Sequence, residues 1–198
     1  LLMKRTSDRP IPSGRISKHS ALIITVLLFA TGSAVLILKT NLSAYITGLV
    51  TFFWYNAVYT PLKKKTALAI IPGSLVGALP PAAGWLAAGG SPLDGRIIMV
   101  AAYFFVWQIP HFWLLLLLYG EDYKNGGFPV LTDIYSTDFI RKITFLLLAA
   151  TVLIAASMPL AGIGHFTASK IILWAFSAAM LYGSYRFLAS IELKRKEI

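Results

Sequence analysis

The chain carries six long apolar segments, at residues 19–38, 42–60, 67–88, 97–119, 143–163 and 171–190. Each has about the 20 residues that a helix needs to cross the hydrocarbon core of a bilayer. Because a backbone polar group in lipid must be hydrogen-bonded within the protein, helices are the structure that these segments predict. We therefore expect an all-α fold, a polytopic transmembrane bundle of six helices, with residues 1–198 in a single integral-membrane domain.

Composition supports a membrane protein. Hydrophobic residues make up 57% of the chain and charged residues 13%, against roughly 45–50% and about 25% in soluble domains. The absence of cysteine excludes disulfides, thiolate metal sites and thiol nucleophiles. The net charge of +10 does not indicate a nucleic-acid partner, because the basic residues lie in short loops beside the apolar segments.

The positions of these basic residues predict the topology. Of the 18 lysines and arginines, all but Lys39, Arg96 and Lys170 fall in the N-terminal segment, in the loops after the second and fourth apolar segments, or near the C-terminus. By the positive-inside rule, both ends of this chain face the cytoplasm of a prokaryotic cell, or the matrix if the membrane is the mitochondrial inner membrane. The long polar connections lie on that side too, so we expect a site that opens there.

The stretch Trp107–Trp113 is the most unusual part of the apolar segments. It places Gln108, Pro110 and His111 at membrane depth, where polar and ionisable groups are costly and usually functional. Trp107 and His111 are four residues apart, so their side chains lie together on a helix. His111 has several possible roles: a hydrogen-bonded packing residue, an axial ligand to a haem-like metal, a proton carrier, or a donor to a substrate carboxylate.

Two groups of basic residues are candidate anion sites. Arg5 and Arg9 are four residues apart and would share a face in a helical turn, where two guanidinium groups suit a diphosphate. Lys63 and Lys64, followed by Lys65, leave the second apolar segment and are placed to steer an anionic substrate. Both groups have an alternative interpretation, as topology determinants that touch anionic lipid.

Four carboxylates, Glu121, Asp122, Asp133 and Asp138, follow the fourth apolar segment. Carboxylates beside bound phosphates are the usual protein ligands of Mg²⁺, and Asp122 is the best placed because it lies where the helix leaves the membrane. The alternative is that these acids are simply solvated in a long loop. The three histidines are too scattered to predict a multi-histidine metal site.

Taken together, five elements of the chain resemble the haem O synthases, a branch of the intramembrane prenyltransferase superfamily. The tryptophan-flanked Pro-His pair is the element that separates this branch from quinone-type prenyltransferases. The matching elements, in chain order, are Met3-Lys4-Arg5-Thr6-x-x-Arg9-Pro10, Tyr59-Thr60-x-Leu62-Lys63-x-x-Thr66, Gly77-Ala78-x-Pro80-Pro81-x-x-Gly84-Trp85, Trp107-Gln108-x-Pro110-His111-Phe112-Trp113 and Asp122-Tyr123-x-x-Gly126-x-x-Pro129.

The resemblance implies a bundle of about nine helices around a cavity open to the cytoplasm and to lipid. It implies transfer of a farnesyl group from farnesyl diphosphate to a vinyl group of haem B, which is a substrate, with Mg²⁺ on the diphosphate. A haem A synthase or a terminal oxidase assembly would be a candidate partner. By this resemblance Arg5, Arg9, Lys63 and Lys64 bind diphosphate, Asp122 and Glu121 hold Mg²⁺, His111 contacts haem, and Trp107, Gln108, Phe112, Trp113 and Tyr123 line the haem and prenyl cavity.

The chain departs from the family pattern in three ways. The first Asp-rich motif of the family precedes the element at Met3, whereas this chain starts at Leu1. Two helices at the front and one at the back are also absent, so we expect a fragment truncated at both ends. The second metal motif is thin: Gly126 stands where other branches carry an Asp, and Leu131-Thr132-Asp133 replaces the common Met-Leu-Pro.

Two other functions remain open at this point. A prenyltransferase for a quinone precursor or an archaeal lipid should carry a fuller Asp-x-x-x-Asp second motif and no Pro-His-Phe-Trp. A six-helix transporter or other non-catalytic membrane protein is the alternative outside enzymes. Internal symmetry between the two halves would favour a transporter, and the sequence shows none.

Overall fold

The computed structural model describes residues 6–164 and 166–196, with side chains as far as Arg186. Arg5, a predicted diphosphate ligand, lies outside the described residues. Six long helices follow one another in the described chain and confirm the all-α prediction. They are α1 (Lys18–Lys39), α2 (Leu42–Phe53), α3 (Leu75–Ala87), α4 (Gly95–Asn125), α5 (Thr137–Ser157) and α6 (Thr167–Lys196).

Four stretches of the described chain are long and apolar enough to cross a membrane: Lys18–Lys39, Ala67–Ala87, Gly95–Asn125 and Thr137–Ala161. The segment predicted at 42–60 is also helical, but α2 passes into a π-helix at Trp54–Tyr59 and a short turn at Thr60–Leu62. The protein is therefore an integral membrane protein with several spans.

Helix starts coincide with side chains that cap them. Ser17, Asn41, Asp94 and Ser136 each accept a hydrogen bond from a backbone N–H in the first turn of α1, α2, α4 and α5. These caps satisfy N–H groups that would have no partner at a helix start. A side-chain hydrogen bond from Arg96 holds the pKa of Asp94 at about 2, so this cap stays ionised at physiological pH.

Each long helix packs against the next one along the chain. The Asn41 amide, at the start of α2, donates to the Leu86 carbonyl near the end of α3 at 2.5 Å. The Trp174 indole, early in α6, donates to the Ala156 carbonyl near the end of α5 at 2.9 Å. Successive helices therefore run in opposite directions.

This alternation sorts the basic side chains. Arg9, Lys63 and the C-terminal end of α4 lie at one end of the bundle, called here the basic end. Lys39, Arg96 and Lys170 lie at the helix termini of the other end, called here the opposite end. The two ends match the two sides inferred from the loop charges.

Two of the predicted segments differ in detail from the structure. The segment at 67–88 is not one helix, because it begins with a 3₁₀ turn and a four-residue helix, Ile70–Gly73, before α3 starts at Leu75. The segment at 97–119 does not end at 119: the backbone leaves helical geometry at Tyr119 (φ −122°, ψ 21°) and the helix then continues to Asn125. Glu121 and Asp122 are therefore held in the last helical turns and do not lie in a loop.

Gly73 lets the π-helix approach the short helix Ile70–Gly73. A Cβ atom on Gly73 would lie 2.6 Å from two carbons of the Tyr59 ring, and a Cβ on Gly77 would lie 3.0 Å from the Gln108 side chain. Both glycines therefore lie at close packing contacts. The indole of Trp54 also donates to the Pro72 carbonyl at 2.7 Å, which fastens the start of the π-helix to the same segment.

Replacing Gly73 with Ala should destabilise the protein by about 1–3 kcal/mol, because the added methyl overlaps the Tyr59 ring. Thermal unfolding in detergent would measure the loss. Gly32→Ala is the matched control, since a Cβ at that helical glycine meets nothing within 4 Å. Equal melting temperatures for the two variants would contradict a tight contact at Gly73.

The main core cluster lies where the loop after α4 meets α4 and α5. Two threonines of α5, Thr144 and Thr151, are fully buried and donate their hydroxyls to carbonyls one turn earlier, so they cost no unpaired polar group. The buried members of the cluster are Ala67, Ile70, Ile109, Trp113, Leu131 and Ile140.

Candidate functional site

A cavity of about 510 Å³ opens at the basic end of the bundle. Its volume falls within the roughly 300–1,000 Å³ of small-molecule sites. The N-terminal segment, the π-helix, the turn after α2, the second half of α4 and the loop after α4 all contribute to its wall. The residues with functional side chains in this wall are Thr6, Arg9, Tyr55, Tyr59, Lys63, Thr66, Phe112, Tyr123 and Phe128.

Two cations, Arg9 and Lys63, stand in the wall of this cavity. Lys63 is half-buried, and its Nζ lies 5.7 Å from the centre of the Tyr59 ring. Burial, and then the positive charges of Lys64 and Arg9, lower the pKa of Lys63 below that of an ordinary lysine. An anion in the cavity would relieve this mutual repulsion, so the pair is arranged to bind negative charge.

The rest of the wall is largely aromatic. Tyr55 and Tyr59 are one turn apart on the π-helix with ring centres 5.6 Å apart, and Tyr123 meets Phe128 edge-on at 6.0 Å. Phe112 of α4 also lines the cavity, and it lies deeper in the membrane than Tyr123 because it comes eleven residues earlier on the same helix. The cavity therefore offers a cationic end and an apolar, π-rich interior, which is what a lipophilic anion requires.

His111 is close to this cavity but does not line it. The imidazole stacks on the Trp107 indole at 4.9 Å and meets the Phe112 ring edge-on at 5.6 Å. His111 is exposed in the described part of the chain. It lies on the face of α4 beside the one that carries Phe112, with Trp107 half-buried next to it.

The other residues of α4 that were predicted to line the cavity pack against other parts of the protein. Gln108 is half-buried and faces Gly77 of α3. Trp113 is 7% exposed and belongs to the core cluster, so it is not positioned to stack on a ligand in the cavity. Its indole N–H has no hydrogen-bond partner among the described residues. Lys64 is exposed beside Lys63 and acts on the cavity through its charge.

Glu121 and Asp122 lie in the last turns of α4, directly before the cavity residue Tyr123. Among the described residues, no three His, Asp or Glu side chains cluster as a protein cage for a metal. Mg²⁺ usually takes one or two carboxylates and completes its shell with phosphate oxygens and water. Asp122 is half-buried and Glu121 is exposed, and neither side chain lines the cavity that contains Arg9 and Lys63, so their role in holding Mg²⁺ stays a prediction.

The loop that follows α4 contains a surface salt bridge, a tight turn and a backbone hydrogen bond. Lys124 Nζ lies 2.5 Å from the Asp133 carboxylate, and the backbone turns at Gly127 with a positive φ of 74°. The Phe128 N–H donates to the Tyr123 carbonyl at 3.0 Å. These contacts fold the loop back so that Phe128 and Pro129 close one side of the cavity.

Comparison with known proteins then identifies the family, because the profile of the UbiA prenyltransferase family matches residues 1–197. The chain belongs to the UbiA prenyltransferase family. Several curated relatives carry the name protoheme IX farnesyltransferase. The protein from Geobacter sulfurreducens is 45% identical over 131 residues, covering 66% of this chain and 48% of the relative.

Two further relatives of the same name extend the match. The one from Nitratidesulfovibrio vulgaris is 36% identical over 162 residues, covering 80% of this chain and 56% of the relative. The one from Anaeromyxobacter dehalogenans is 32% identical over 184 residues, covering 91% of this chain and 62% of the relative. The chain thus spans about half the length of the curated relatives it matches. No solved structure matches the chain.

Within this UbiA-family chain, sequence reasoning found part of the cavity wall and missed the rest. The structure brings together Arg9, Lys63, Phe112 and Tyr123, which were predicted site residues. Tyr55, Tyr59, Thr66 and Phe128 were not assigned a site role. The spacing of Tyr55 and Tyr59 was a signal for these two residues, because it places both rings on one side of a helix. Tyr59 and Thr66 also stand in one of the five elements that match the family.

Proposed function

We propose that the protein transfers a farnesyl group from farnesyl diphosphate to a vinyl group of haem B, releasing diphosphate and forming haem O. The observation that carries this proposal is the cavity at the basic end, which joins the cations Arg9 and Lys63 to an aromatic interior. Family membership supports prenyl transfer, and the name of the relatives supports haem as the acceptor.

In this proposal the diphosphate binds at Arg9 and Lys63, with Lys64 and the predicted ligand Arg5 adding positive charge. Guanidinium and ammonium groups at the leaving group stabilise the charge that develops on it as the allylic C–O bond breaks. The electron pair of that bond departs with the diphosphate. Lys63 is suited to this role because its own charge is partly desolvated before the anion arrives.

Magnesium, when bound with the diphosphate, would neutralise part of its charge and act as a Lewis acid. Asp122, with Glu121, would hold it from the end of α4. The turn at Gly127 and the hydrogen bond from the Phe128 N–H to the Tyr123 carbonyl fold the following loop over the cavity, which limits access of water.

The aromatic interior would accept the farnesyl chain and stabilise the allylic cation. Ring faces attract cations by up to about 2 kcal/mol when desolvated, and a dry cavity keeps water from quenching the cation. Tyr55, Tyr59, Phe112 and Phe128 are the rings placed for this.

His111 and Trp107 would position the haem. Their stacked pair lies one side chain from the cavity, because the Phe112 ring both lines the cavity and contacts the imidazole. A porphyrin held against this face of α4 would bring a vinyl group towards the farnesyl chain. The new C–C bond would then form close to Phe112. The carbocation left on the former vinyl group would be captured by a water molecule that then loses a proton, so water is a co-substrate of the proposed reaction.

We further propose that the basic end faces the cytoplasm of a prokaryotic cell. Its concentration of lysine and arginine in short loops follows the positive-inside rule. Farnesyl diphosphate is water-soluble at its charged end, so a cytoplasmic opening gives it direct access. A haem A synthase or a terminal oxidase assembly remains the candidate partner for the product.

The proposal is tested by a transfer assay on the full-length protein in membranes. Haem B, farnesyl diphosphate and Mg²⁺ are added, and the haems are separated by chromatography. We expect a new, more hydrophobic haem that does not form in the presence of EDTA. Prenylation of a quinone precursor in place of haem would contradict the proposed acceptor, and the lack of any transfer by folded protein would contradict the activity.

Arg9→Ala should raise the apparent KM for farnesyl diphosphate about tenfold, the loss expected for one hydrogen bond to a charged group. Haem binding should change little, because Arg9 lies away from the His111 face of α4. Arg15→Ala is the matched control: Arg15 is an exposed arginine of the same segment that bonds the Asp8 carbonyl and does not line the cavity. Equal KM values for both variants would remove Arg9 from the diphosphate site.

A further inference from the structure

Two cavities at the opposite end of the bundle have no part in the proposed reaction. The outer one, of about 480 Å³, lies where α3 ends and α4 begins, against the turn at Gly162–Gly164. The inner one, of about 240 Å³, lies between α4, α5 and α6. Val100 lines both cavities, so they meet at that side chain.

The outer cavity has a cation in its wall. The Arg96 guanidinium lies 5.0 Å from the centre of the Trp85 ring, and its Nε and Nη2 donate to the Asp94 carboxylate. The two N–H groups of Nη1 have no partner among the described residues, so the guanidinium retains donors for a second anion. Tryptophan and arginine at the end of a spanning helix are typical of the level at which lipid headgroups lie.

The inner cavity is apolar. Its wall includes Phe104, Val152, Leu173 and Met180, and it contains no charged side chain. Phe104 follows Arg96 by eight residues of helix, which places it about 12 Å deeper in the membrane. Along α4, the wall of the two joined cavities is therefore polar at the level of the lipid headgroups and apolar at the level of the hydrocarbon chains.

We propose that the two joined cavities bind one phospholipid, with its phosphate at Arg96 and one acyl chain between α4, α5 and α6. The order of polarity along α4 matches that of a phospholipid, and the single cation beside Asp94 suits a phosphodiester with one negative charge. Among the described residues, the paired cations that a diphosphate requires are Arg9 and Lys63, which lie at the basic end. The site does not depend on the transferase activity and is tested without it.

The test uses native mass spectrometry of the full-length protein, stripped of lipid in mild detergent and titrated with phosphatidylglycerol. We expect one tightly retained lipid per chain. Arg96→Gln should weaken it about fivefold, as expected for one basic residue at an anionic headgroup, while Asp94 still caps α4 through the backbone N–H of residue 96. Lys39→Gln, an exposed cation at the same end that lines neither cavity, is the matched control.

Ala155→Phe should obstruct the inner cavity and weaken the lipid about tenfold, the loss expected when two methylenes are excluded from an apolar site. Leu153→Phe adds a similar ring on the exposed side of α5 and should leave binding unchanged. Circular dichroism is used to check that each variant is folded. Diacylglycerol, which has the chains without the phosphate, should bind several-fold more weakly than phosphatidylglycerol.

Three results would overturn this proposal. If Arg96→Gln and Lys39→Gln bind phosphatidylglycerol equally tightly, Arg96 does not bind the headgroup. Diacylglycerol binding as tightly as phosphatidylglycerol would remove the role of the phosphate. If haem B displaces the lipid from the wild type, and Arg96→Gln does not change the affinity for the lipid, the cavities would be assigned to the acceptor substrate.

Discussion

Asp122→Asn should reduce the rate of farnesyl transfer by about a thousandfold. The carboxylate is the half-buried acid at the end of α4, next to the cavity residue Tyr123. A metal ion contributes several kcal/mol to stabilising a leaving group, and a loss of about 4 kcal/mol lowers the rate about a thousandfold. The amide retains the shape of the side chain and loses its charge, so Mg²⁺ is held less well. The measurement is turnover at saturating farnesyl diphosphate as Mg²⁺ is varied.

Asp133→Asn is the matched control for this result. Asp133 is an exposed acid of the same region and pairs with Lys124 on the surface, where such pairs contribute at most about 1 kcal/mol. We expect its activity to stay within about threefold of the wild type, with an unchanged Mg²⁺ requirement. A similar loss in both variants would indicate that the two acids act through the loop and that Asp122 has no special role at the metal.

His111→Ala should lower turnover about a hundredfold, the cost of misplacing an acceptor by about an ångström. The same variant should weaken haem binding and change the haem absorption spectrum if the imidazole is an axial ligand. The physical basis is the stacked pair of His111 and Trp107, which presents an imidazole at membrane depth beside the cavity residue Phe112. Haem titration followed by visible spectroscopy measures the affinity and the ligation together.

Two further variants make this result specific. His19→Ala removes an exposed imidazole at the start of α1 that does not line the cavity, and it should leave haem binding unchanged. His111→Gln keeps a hydrogen-bond donor and removes the ligand nitrogen, so recovery of activity in this variant would assign a donor role. Normal spectra and normal turnover in His111→Ala would make His111 a packing residue.

Much of the architecture could be predicted from the residues alone because the bilayer restricts the choices. An apolar segment of about 20 residues can satisfy its backbone in lipid only as a helix. The six helices and their alternating direction followed from this restriction and from the loop charges. Capping residues such as Ser17 and Asn41 also marked helix starts locally.

Departures from regular helix geometry were not predictable in the same way. The π-helix at Trp54–Tyr59 lies where side chains from distant segments meet, as when Tyr59 packs over Gly73. Such contacts override local helix preference, and one sequence window does not contain both partners. In α4 the backbone leaves helical geometry at Tyr119, but the helix continues past this kink, so Glu121 and Asp122 lie on it.

The sequence by itself determined the spans, the basic end, and the residue types that a prenyl diphosphate requires, because charge and hydrophobicity act through composition and spacing. Only the tertiary structure decided which of them meet: Arg9, Lys63, Phe112 and Tyr123 share a cavity with Tyr55 and Phe128, whereas Trp113 is in the core. The direction of a side chain on a buried helix depends on which neighbour packs against it. That neighbour is set by the whole bundle.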